Sequence, residues 1–139
     1  MIIIEGTDAV GKTSTINELK KFNIICEDRS KDVISKYMLF DYNMEFRANM
    51  YHEYLKNNDS LVIFLVNNDG EELLRRVNSR EIIGDYDLDA PKYNKLYLDT
   101  YLYMKEHNML ENKLFLVDVT NLTIEEQVNK VKEVIECQV

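Results

Sequence analysis

The sequence predicts an α/β protein in which a small parallel sheet, of about four strands, lies between helices. Short apolar runs alternate with longer stretches of helical periodicity along the 139 residues, and this order favours a parallel sheet covered by helices. The run 61–66, Leu-Val-Ile-Phe-Leu-Val, shows no polar alternation, as expected of a strand buried on both faces. A composition of 45% hydrophobic and 30% charged residues suits one globular domain spanning residues 1–139.

The first half of the chain contains two apolar runs and a long polar stretch. We predict the first strand at Ile2–Glu5 and the first helix at Thr13–Lys21. A second apolar run, at Asn23–Glu27, predicts the next strand. Residues 32–56 are polar and aromatic with helical spacing, which predicts one or two helices with a break near 41–43.

The strand 61–66 is followed by a predicted helix and a predicted loop. Asp69 is a favourable N-cap for a helix that extends to Ser79. Residues 80–92 contain Gly84, several acidic residues and the only proline, Pro91. This composition predicts a mobile loop, because glycine and proline interrupt regular structure.

The last part of the chain predicts a helix, a strand and a final helix. Helical spacing covers 92–107, and a β-rich apolar run follows at Lys113–Val117. Thr123 and Glu126 have the spacing of a capping box, in which each side chain binds the other residue's backbone N–H. The final helix is therefore expected to begin after Thr123 and to end near Glu136.

Residues 6–13 have the pattern G-x-x-x-x-G-K-[ST] of a phosphate-binding loop. Gly6 and Gly11 allow backbone conformations that a side chain would block, so that successive N–H groups can surround phosphate oxygens. Lys12 is predicted to contact the β- and γ-phosphates, and the Thr13 hydroxyl to ligate Mg²⁺. A strand before the loop and a helix N-terminus after it are the expected context. The sequence therefore predicts a three-layer P-loop NTPase fold that binds a nucleotide. The predicted nucleotide-binding residues are Gly6, Thr7, Asp8, Ala9, Val10, Gly11, Lys12, Thr13 and Ser14.

Charge and cysteine usage exclude some partners. The net charge of −8 argues against nucleic acid, because proteins that bind a polyphosphate backbone usually present a basic face. A small nucleotide can still bind where the local potential is positive. Cys26 and Cys137 lack metal-ligand spacing, so we expect a reduced, cytoplasmic protein. No apolar run is long enough for a membrane span, and a homodimer is left open.

A phosphate-binding loop alone fits kinases, GTPase switches and motor ATPases. The Asn-Lys-x-Asp element of guanine-binding switches is absent from the sequence. The run after Val66 reads Asn-Asn-Asp-Gly, without the Asp-Glu pair that motor ATPases usually place there. The second apolar run instead ends on Asp28 with Arg29 beside it. This pair suits a clamp on an acceptor phosphate, because guanidinium binds phosphate through two hydrogen bonds.

With these motifs the chain resembles thymidylate kinases and their deoxynucleoside kinase relatives. The resemblance rests on Ile4–Thr13, with Glu-Gly at its start and an acidic residue inside the loop. Asp28-Arg29-Ser30, with Ser35 and Tyr37 downstream, is similar to the family's Asp-Arg motif. Leu74–Arg80 is similar to the Arg-x-x-x-Arg segment that precedes the family's lid.

The resemblance implies transfer of the γ-phosphoryl group of ATP, with Mg²⁺, to a nucleoside monophosphate. Asp8 would face the acceptor sugar, Arg29 would hold its phosphate, and Ser35 and Tyr37 would be further substrate contacts. Asp28 would order Arg29 or the Mg²⁺ shell, or would act as the base if the acceptor is a nucleoside hydroxyl.

The resemblance also implies a lid at about 80–92. Ala9 stands where some members carry a loop arginine, so Arg76 and Arg80 are implied to supply positive charge to the transition state. The implied catalytic residues are thus Lys12, Asp28, Arg29, Arg76 and Arg80. The implied metal ligands are Thr13 and Asp28.

One segment of the family has no counterpart in this chain. The first helix leads almost directly into the run that carries Asp28 and Arg29, so the helices that stack on the base in the family are missing. Phe46 and Arg47 follow later, and the sequence assigns them no base-reading role. Three functions stay open: a monophosphate kinase, a deoxynucleoside kinase, and a nucleotide-binding regulatory module without acceptor chemistry.

Overall fold

A computed structural model describes residues 1–7, 9–29, 43–79 and 87–138. These residues form an α/β structure with a four-stranded sheet and five α-helices. The strands are β1 (Ile2–Glu5), β2 (Cys26–Asp28), β3 (Leu61–Val66) and β4 (Leu114–Asp118). The helices are α1 (Lys12–Lys20), α2 (Met44–Asn57), α3 (Gly70–Asn78), α4 (Ala90–Glu106) and α5 (Ile124–Glu136), with a short 3-10 helix at Asp87–Asp89.

All pairings in the sheet are parallel, and the strand order is β2-β1-β3-β4. Ile3 of β1 lies opposite Glu27 of β2 on one side and opposite Val62 of β3 on the other. The chain therefore moves from β1 to one side and then returns past β1 to form β3. In open parallel sheets, ligands bind at the carboxyl ends of the strands near such a reversal of strand order.

Both faces of the sheet are covered by helices. In β3 the side chains of Val62, Phe64 and Val66 pack with α2 and α4, whereas Ile63 and Leu65 pack with α1 and α5. The division follows from the strand geometry, since successive side chains point to opposite faces. The expected small parallel sheet between helices is thus confirmed.

Elements defined by local signals agree closely with the prediction. β1 and β3 have the predicted bounds, while α1 and β4 are displaced by one residue. The Asp69 side chain accepts a hydrogen bond from Glu72 N at 3.1 Å and caps α3. In the capping box of α5, Glu126 N donates to Thr123 Oγ1 at 3.1 Å and Thr123 N donates to Glu126 Oε1 at 3.0 Å.

The second strand begins later than predicted. Asn23, expected to start it, has a φ of +63° and donates its backbone N–H to Lys20 O at 3.0 Å. This left-handed turn ends α1, and the chain pairs with β1 only from Cys26 to Asp28. The prediction of a strand at 23–27 is therefore wrong at its first three residues.

The loop predicted at 80–92 is shorter than expected at its C-terminal side. Residues 87–92 are helical, and Pro91 lies in the first turn of α4. The fixed φ of proline suits this position, and its missing N–H would have no helical partner there. Residues 80–86 lie outside the described residues. Asn43, the last residue of the predicted break near 41–43, caps α2 by accepting a hydrogen bond from Phe46 N at 3.0 Å, and the rest of that break and the predicted helix before it lie outside the described residues.

No helix in the described ranges is long and apolar enough to cross a membrane. Cys26 is buried and Cys137 is exposed, and both are free thiols. Burial raises the pKa of the Cys26 thiol to about 11.

Candidate functional site

A cavity of about 580 Å³ lies at the carboxyl end of the sheet, where β1 leads into α1. It brings together residues that the sequence analysis placed on the nucleotide side and on the acceptor side. The β1–α1 loop (residues 6–11, of which residue 8 is not described) and the first turn of α1 form one wall. The cavity is lined by Thr7, Ala9, Gly11, Lys12, Thr13, Ser14, Asp28, Arg29, Arg76 and Ile124.

Two glycines set the shape of the β1–α1 loop. A Cβ at Gly6 would lie 2.7 Å from the carbonyl oxygen of Leu65 in β3, so only glycine lets the loop pass this close to the neighbouring strand. Gly11 has a φ of +93° and is the N-cap residue of α1. A Cβ at Gly11 would lie 2.8 Å from Gln127 Nε2. The motif glycines are therefore required by both conformation and packing.

Lys12 and Arg29 converge on one carbonyl group. Lys12 Nζ donates to Gly6 O at 2.6 Å, and Arg29 Nη2 donates to the same oxygen at 3.2 Å. Lys12 is only 7% exposed, and its Nζ lies 3.7 Å from Asp28 Oδ1. Arg29 is held by a backbone hydrogen bond from its N–H to Ile4 O at 3.1 Å. Two cations therefore lie at the same end of the cavity.

The residues predicted to ligate a metal are oxygen donors on the cavity wall. Thr13 is exposed in the first turn of α1, and the Asp28 side chain is 50% exposed at the end of β2. Mg²⁺ prefers oxygen ligands, and in nucleotide sites it uses one or two protein ligands together with water and phosphate oxygens. The two side chains fit this donor set. Among the described residues, no group of three His, Cys, Asp or Glu side chains could hold a metal by itself.

Arg76 reaches the β1–α1 loop from α3. Its Nη1 donates to Ala9 O at 3.1 Å, and its Nε donates to Glu72 Oε1 at 2.9 Å, one turn earlier on the same helix. Ala9 has a φ of +69°, a backbone conformation that is uncommon for a residue with a side chain. The resemblance implied that Arg76 supplies the positive charge that a loop arginine would supply at residue 9. In the structure, Arg76 contacts the loop at the carbonyl oxygen of Ala9.

Glu5 is a buried carboxylate that the sequence analysis did not select. It ends β1 with no exposed surface, and its Oε2 accepts hydrogen bonds from Tyr51 Oη at 2.8 Å and Tyr97 Oη at 3.2 Å. Burial raises its pKa, although the two tyrosine hydroxyls and the charges of Arg29 and Lys12 oppose the increase. The signal in the sequence was a glutamate at a core-facing position of an apolar strand.

Phe46 and Arg47, to which the sequence assigned no role, lie in different environments. Arg47 is fully buried, and its guanidinium carbon lies 4.9 Å from the centre of the Tyr97 ring. Phe46, by contrast, is 44% exposed. Adjacent residues of α2 thus have different environments, one in the interior and one at the surface.

Gln127 is a second site residue that the sequence analysis did not select. Its Nε2 donates to Val10 O at 3.1 Å and to Thr15 Oγ1 at 2.8 Å. Gln127 belongs to the buried stripe of α5, whose other members are Val128, Val131 and Ile135. A polar residue in an apolar helical stripe was the available signal.

Several predicted site residues do not line the cavity or are not described. Gly6 and Val10 are buried and do not line the cavity. Asp8, Ser35, Tyr37 and Arg80 lie outside the described residues.

No protein-family model and no curated protein sequence matches this chain.

Proposed function

We propose that this chain has a P-loop NTPase fold, binds ATP and Mg²⁺ at the β1–α1 loop, and transfers the γ-phosphoryl group to a nucleoside monophosphate. The resemblance to thymidylate kinases suggests the acceptor. One structural observation carries the proposal: Lys12 from the nucleotide side and Arg29 from the acceptor side donate to the same Gly6 oxygen, at 2.6 and 3.2 Å. Donor and acceptor phosphates could therefore meet in one cavity.

The local electrostatics support an anionic ligand despite the negative net charge. The cavity includes the N-terminus of α1, where backbone N–H groups and the helix dipole favour negative charge. Lys12, Arg29 and Arg76 add three cations around the same space. A volume of about 580 Å³ lies within the ordinary range for small-molecule sites.

In the proposed reaction the protein mainly positions groups and offsets charge. Phosphoryl transfer passes through a transition state whose charge lies on the equatorial oxygens, and little covalent help is needed. Lys12 would bind the transferring phosphate, and Arg29 would align the attacking phosphate oxygen. Thr13 and Asp28 would hold Mg²⁺, which neutralises charge on the ATP phosphates. A monophosphate acceptor needs no general base at neutral pH.

A nucleoside acceptor is the second candidate, and Asp28 favours it. The Asp28 carboxylate is half exposed on the cavity wall, so it could accept the proton of a hydroxyl group during transfer. Asp28→Asn would keep the shape and remove the base. If Asp28→Asn loses transfer to nucleosides while any transfer to monophosphates is unchanged, the result would indicate a deoxynucleoside kinase.

The test is a screen for ADP release with ATP and Mg²⁺ over a panel of nucleosides and nucleoside monophosphates. The proposal expects turnover with one or more monophosphates, and loss of that turnover in Lys12→Ala. Lys20→Ala, which removes an exposed lysine from the same helix, is the matched control and should keep full activity. Saturable ATP binding without turnover on any acceptor would contradict the kinase proposal and favour a regulatory module.

A further inference from the structure

The side chain of Gln127 connects the last helix to the β1–α1 loop. Val10 and Gln127 are 117 residues apart in the sequence, yet Nε2 of the glutamine donates to the Val10 carbonyl oxygen at 3.1 Å. The same nitrogen donates to Thr15 Oγ1 at 2.8 Å and lies 3.4 Å from Gly11 O. We propose that Gln127 is a positioning residue that holds the second half of the loop in the conformation that binds phosphate. This role rests on the nucleotide binding proposed above.

The argument starts from the geometry of the peptide bond. In a planar trans peptide, the C=O and the N–H of the same unit point in opposite directions. Val10 O shares its peptide unit with Gly11 N, and Gly11 O shares its unit with Lys12 N. The Gln127 amide holds Val10 O on the interior side and so directs the Gly11 N–H group to the opposite side. Thr15 N, beside the Thr15 hydroxyl that Gln127 also binds, donates to Gly11 O and so orients the Lys12 N–H group. Gly11 and Lys12 line the cavity on that side.

The position of Gln127 behind the loop supports this direction. Its side chain is 1% exposed, whereas Ile124, one helical turn earlier, lines the cavity. The glutamine amide thus approaches the loop from the interior. Its NH₂ group carries two protons, and these match the two closest acceptors, Val10 O and Thr15 Oγ1.

The fit between Gln127 and Gly11 is close. A Cβ at Gly11 would lie 2.8 Å from Gln127 Nε2 and 3.4 Å from its Oε1, so the amide occupies the space that a side chain at residue 11 would need. Glycine at residue 11 therefore leaves space for the Gln127 amide and also allows the φ of +93°. Gln127 also contacts the first turn of α1 through the Thr15 hydroxyl. Thr15 in turn binds the loop, because Thr15 N donates to Gly11 O at 2.9 Å.

The α5 backbone that carries Gln127 is itself fixed. The capping box of Thr123 and Glu126 defines the first turn of α5, and Val128 packs in the core cluster that also contains Val10. A buried, hydrogen-bonded side chain on a rigid helix loses little freedom when a ligand binds, so it can pre-organise a site. Loss of the amide donor should therefore weaken nucleotide binding.

The test compares Gln127→Met, which keeps the length of the side chain but removes the donor, with wild type. Isothermal titration should give an ATP–Mg²⁺ Kd about tenfold higher for the variant, the effect of roughly one hydrogen bond lost from pre-organisation. Gln127→Glu should bind more weakly still, because a carboxylate oxygen would face the Val10 carbonyl oxygen with no donor between them, although the Thr15 hydroxyl could donate to the other carboxylate oxygen. Gln138→Glu makes the same chemical change at an exposed position after α5 and should leave Kd unchanged.

A merely structural role would give a different result. It would lower the melting temperature of Gln127→Met but leave the Kd of the folded protein within about twofold of wild type, and that outcome would overturn the proposal. Amide NMR without nucleotide gives a second readout. The Gly11 and Lys12 N–H signals should shift in the folded variant, and unchanged signals would count against the proposed role.

These readouts separate the two proposals. If wild type binds no nucleotide, the proposed function fails, while the NMR signals of Gly11 and Lys12 still decide the role of Gln127 in loop conformation. If neither variant folds, the role of Gln127 is tested in the wild-type protein, by NMR with inorganic triphosphate as the ligand. The Gln127 side-chain amide protons should then be protected from solvent exchange and should shift on binding, and rapid exchange without a shift would refute the proposal.

Discussion

Lys12 and Arg29 lie on different elements, yet both donate to the carbonyl oxygen of Gly6, at 2.6 and 3.2 Å respectively. Two like charges that share one acceptor repel each other, and partial burial strengthens this repulsion because less water screens it. A polyanion in the cavity would relieve it. The arrangement supports the proposal that a chain with a net charge of −8 binds phosphate in this cavity.

Lys12→Ala is expected to abolish ATP turnover and to leave the fold intact. In the proposed reaction Lys12 is the cation that binds the transferring phosphate, and after the substitution Gly6 O keeps its hydrogen bond from Arg29. ADP release and circular dichroism, measured beside Lys20→Ala, check the two parts of the prediction. Turnover of Lys12→Ala near the wild-type rate would show that the donor site is elsewhere.

Arg29→Ala is expected to raise KM for the monophosphate acceptor far more than KM for ATP. Loss of a charged, bidentate contact typically costs about 1.5–3 kcal/mol, equivalent to roughly tenfold or more in affinity. Arg29→Lys is the matched control. It keeps the positive charge and the non-glycine side chain at a residue whose φ is +63°, but a lysine cannot bind phosphate through two parallel hydrogen bonds. Equal increases in both KM values would place Arg29 outside the acceptor site.

Arg76→Ala is expected to lower both ATP affinity and kcat, because Arg76 lines the cavity and donates to Ala9 O in the β1–α1 loop at 3.1 Å. The neighbouring Arg75 offers a sharp control. Arg75 pairs with the same Glu72, but its side chain is 76% exposed, and it does not line the cavity. Steady-state kinetics should therefore show a defect only in Arg76→Ala, and similar defects in both variants would indicate a general effect of positive charge.

Glu5→Gln is expected to change how stability depends on pH. Burial raises the pKa of Glu5 above its ordinary value of 4.5, so the folded state keeps a proton over a range of pH in which the unfolded chain has lost it. Stability should therefore fall as pH rises from about 4.5 to the pKa in the folded state, by up to ~1.4 kcal/mol per pH unit. Glu5→Gln stays neutral and keeps an oxygen for Tyr51 and Tyr97, so this part of the decline should disappear.

Urea unfolding of Glu5→Gln and wild type at pH 5 and pH 8 measures the effect. Glu27→Gln makes the same change on the neighbouring strand, at an exposed residue, and serves as the control. The prediction requires that the stability difference between Glu5→Gln and wild type grows with pH. A difference that is constant between pH 5 and pH 8 would mean that Glu5 does not titrate abnormally.

Short-range signals made much of the fold predictable. The bounds of β3 follow from an unbroken apolar run, and the start of α5 follows from the spacing of Thr123 and Glu126, since each depends on residues within one or two turns. Pro91 was misread for a related reason. Proline interrupts a helix interior but suits its first turn, and the residues nearby did not distinguish these positions.

The sequence by itself determined the parallel α/β architecture and the loop motif with its glycines, lysine and threonine, because a motif of consecutive residues encodes its own backbone geometry. Only the tertiary structure decided which distant groups complete the site. Gln127, which the sequence analysis did not select, reaches Val10 across 117 residues. Arg76 was implied by the resemblance, but its hydrogen bond to Ala9 O, across 67 residues, came from the tertiary structure. Such contacts depend on how helices pack on the sheet, and packing is set by the burial of apolar faces rather than by any local pattern.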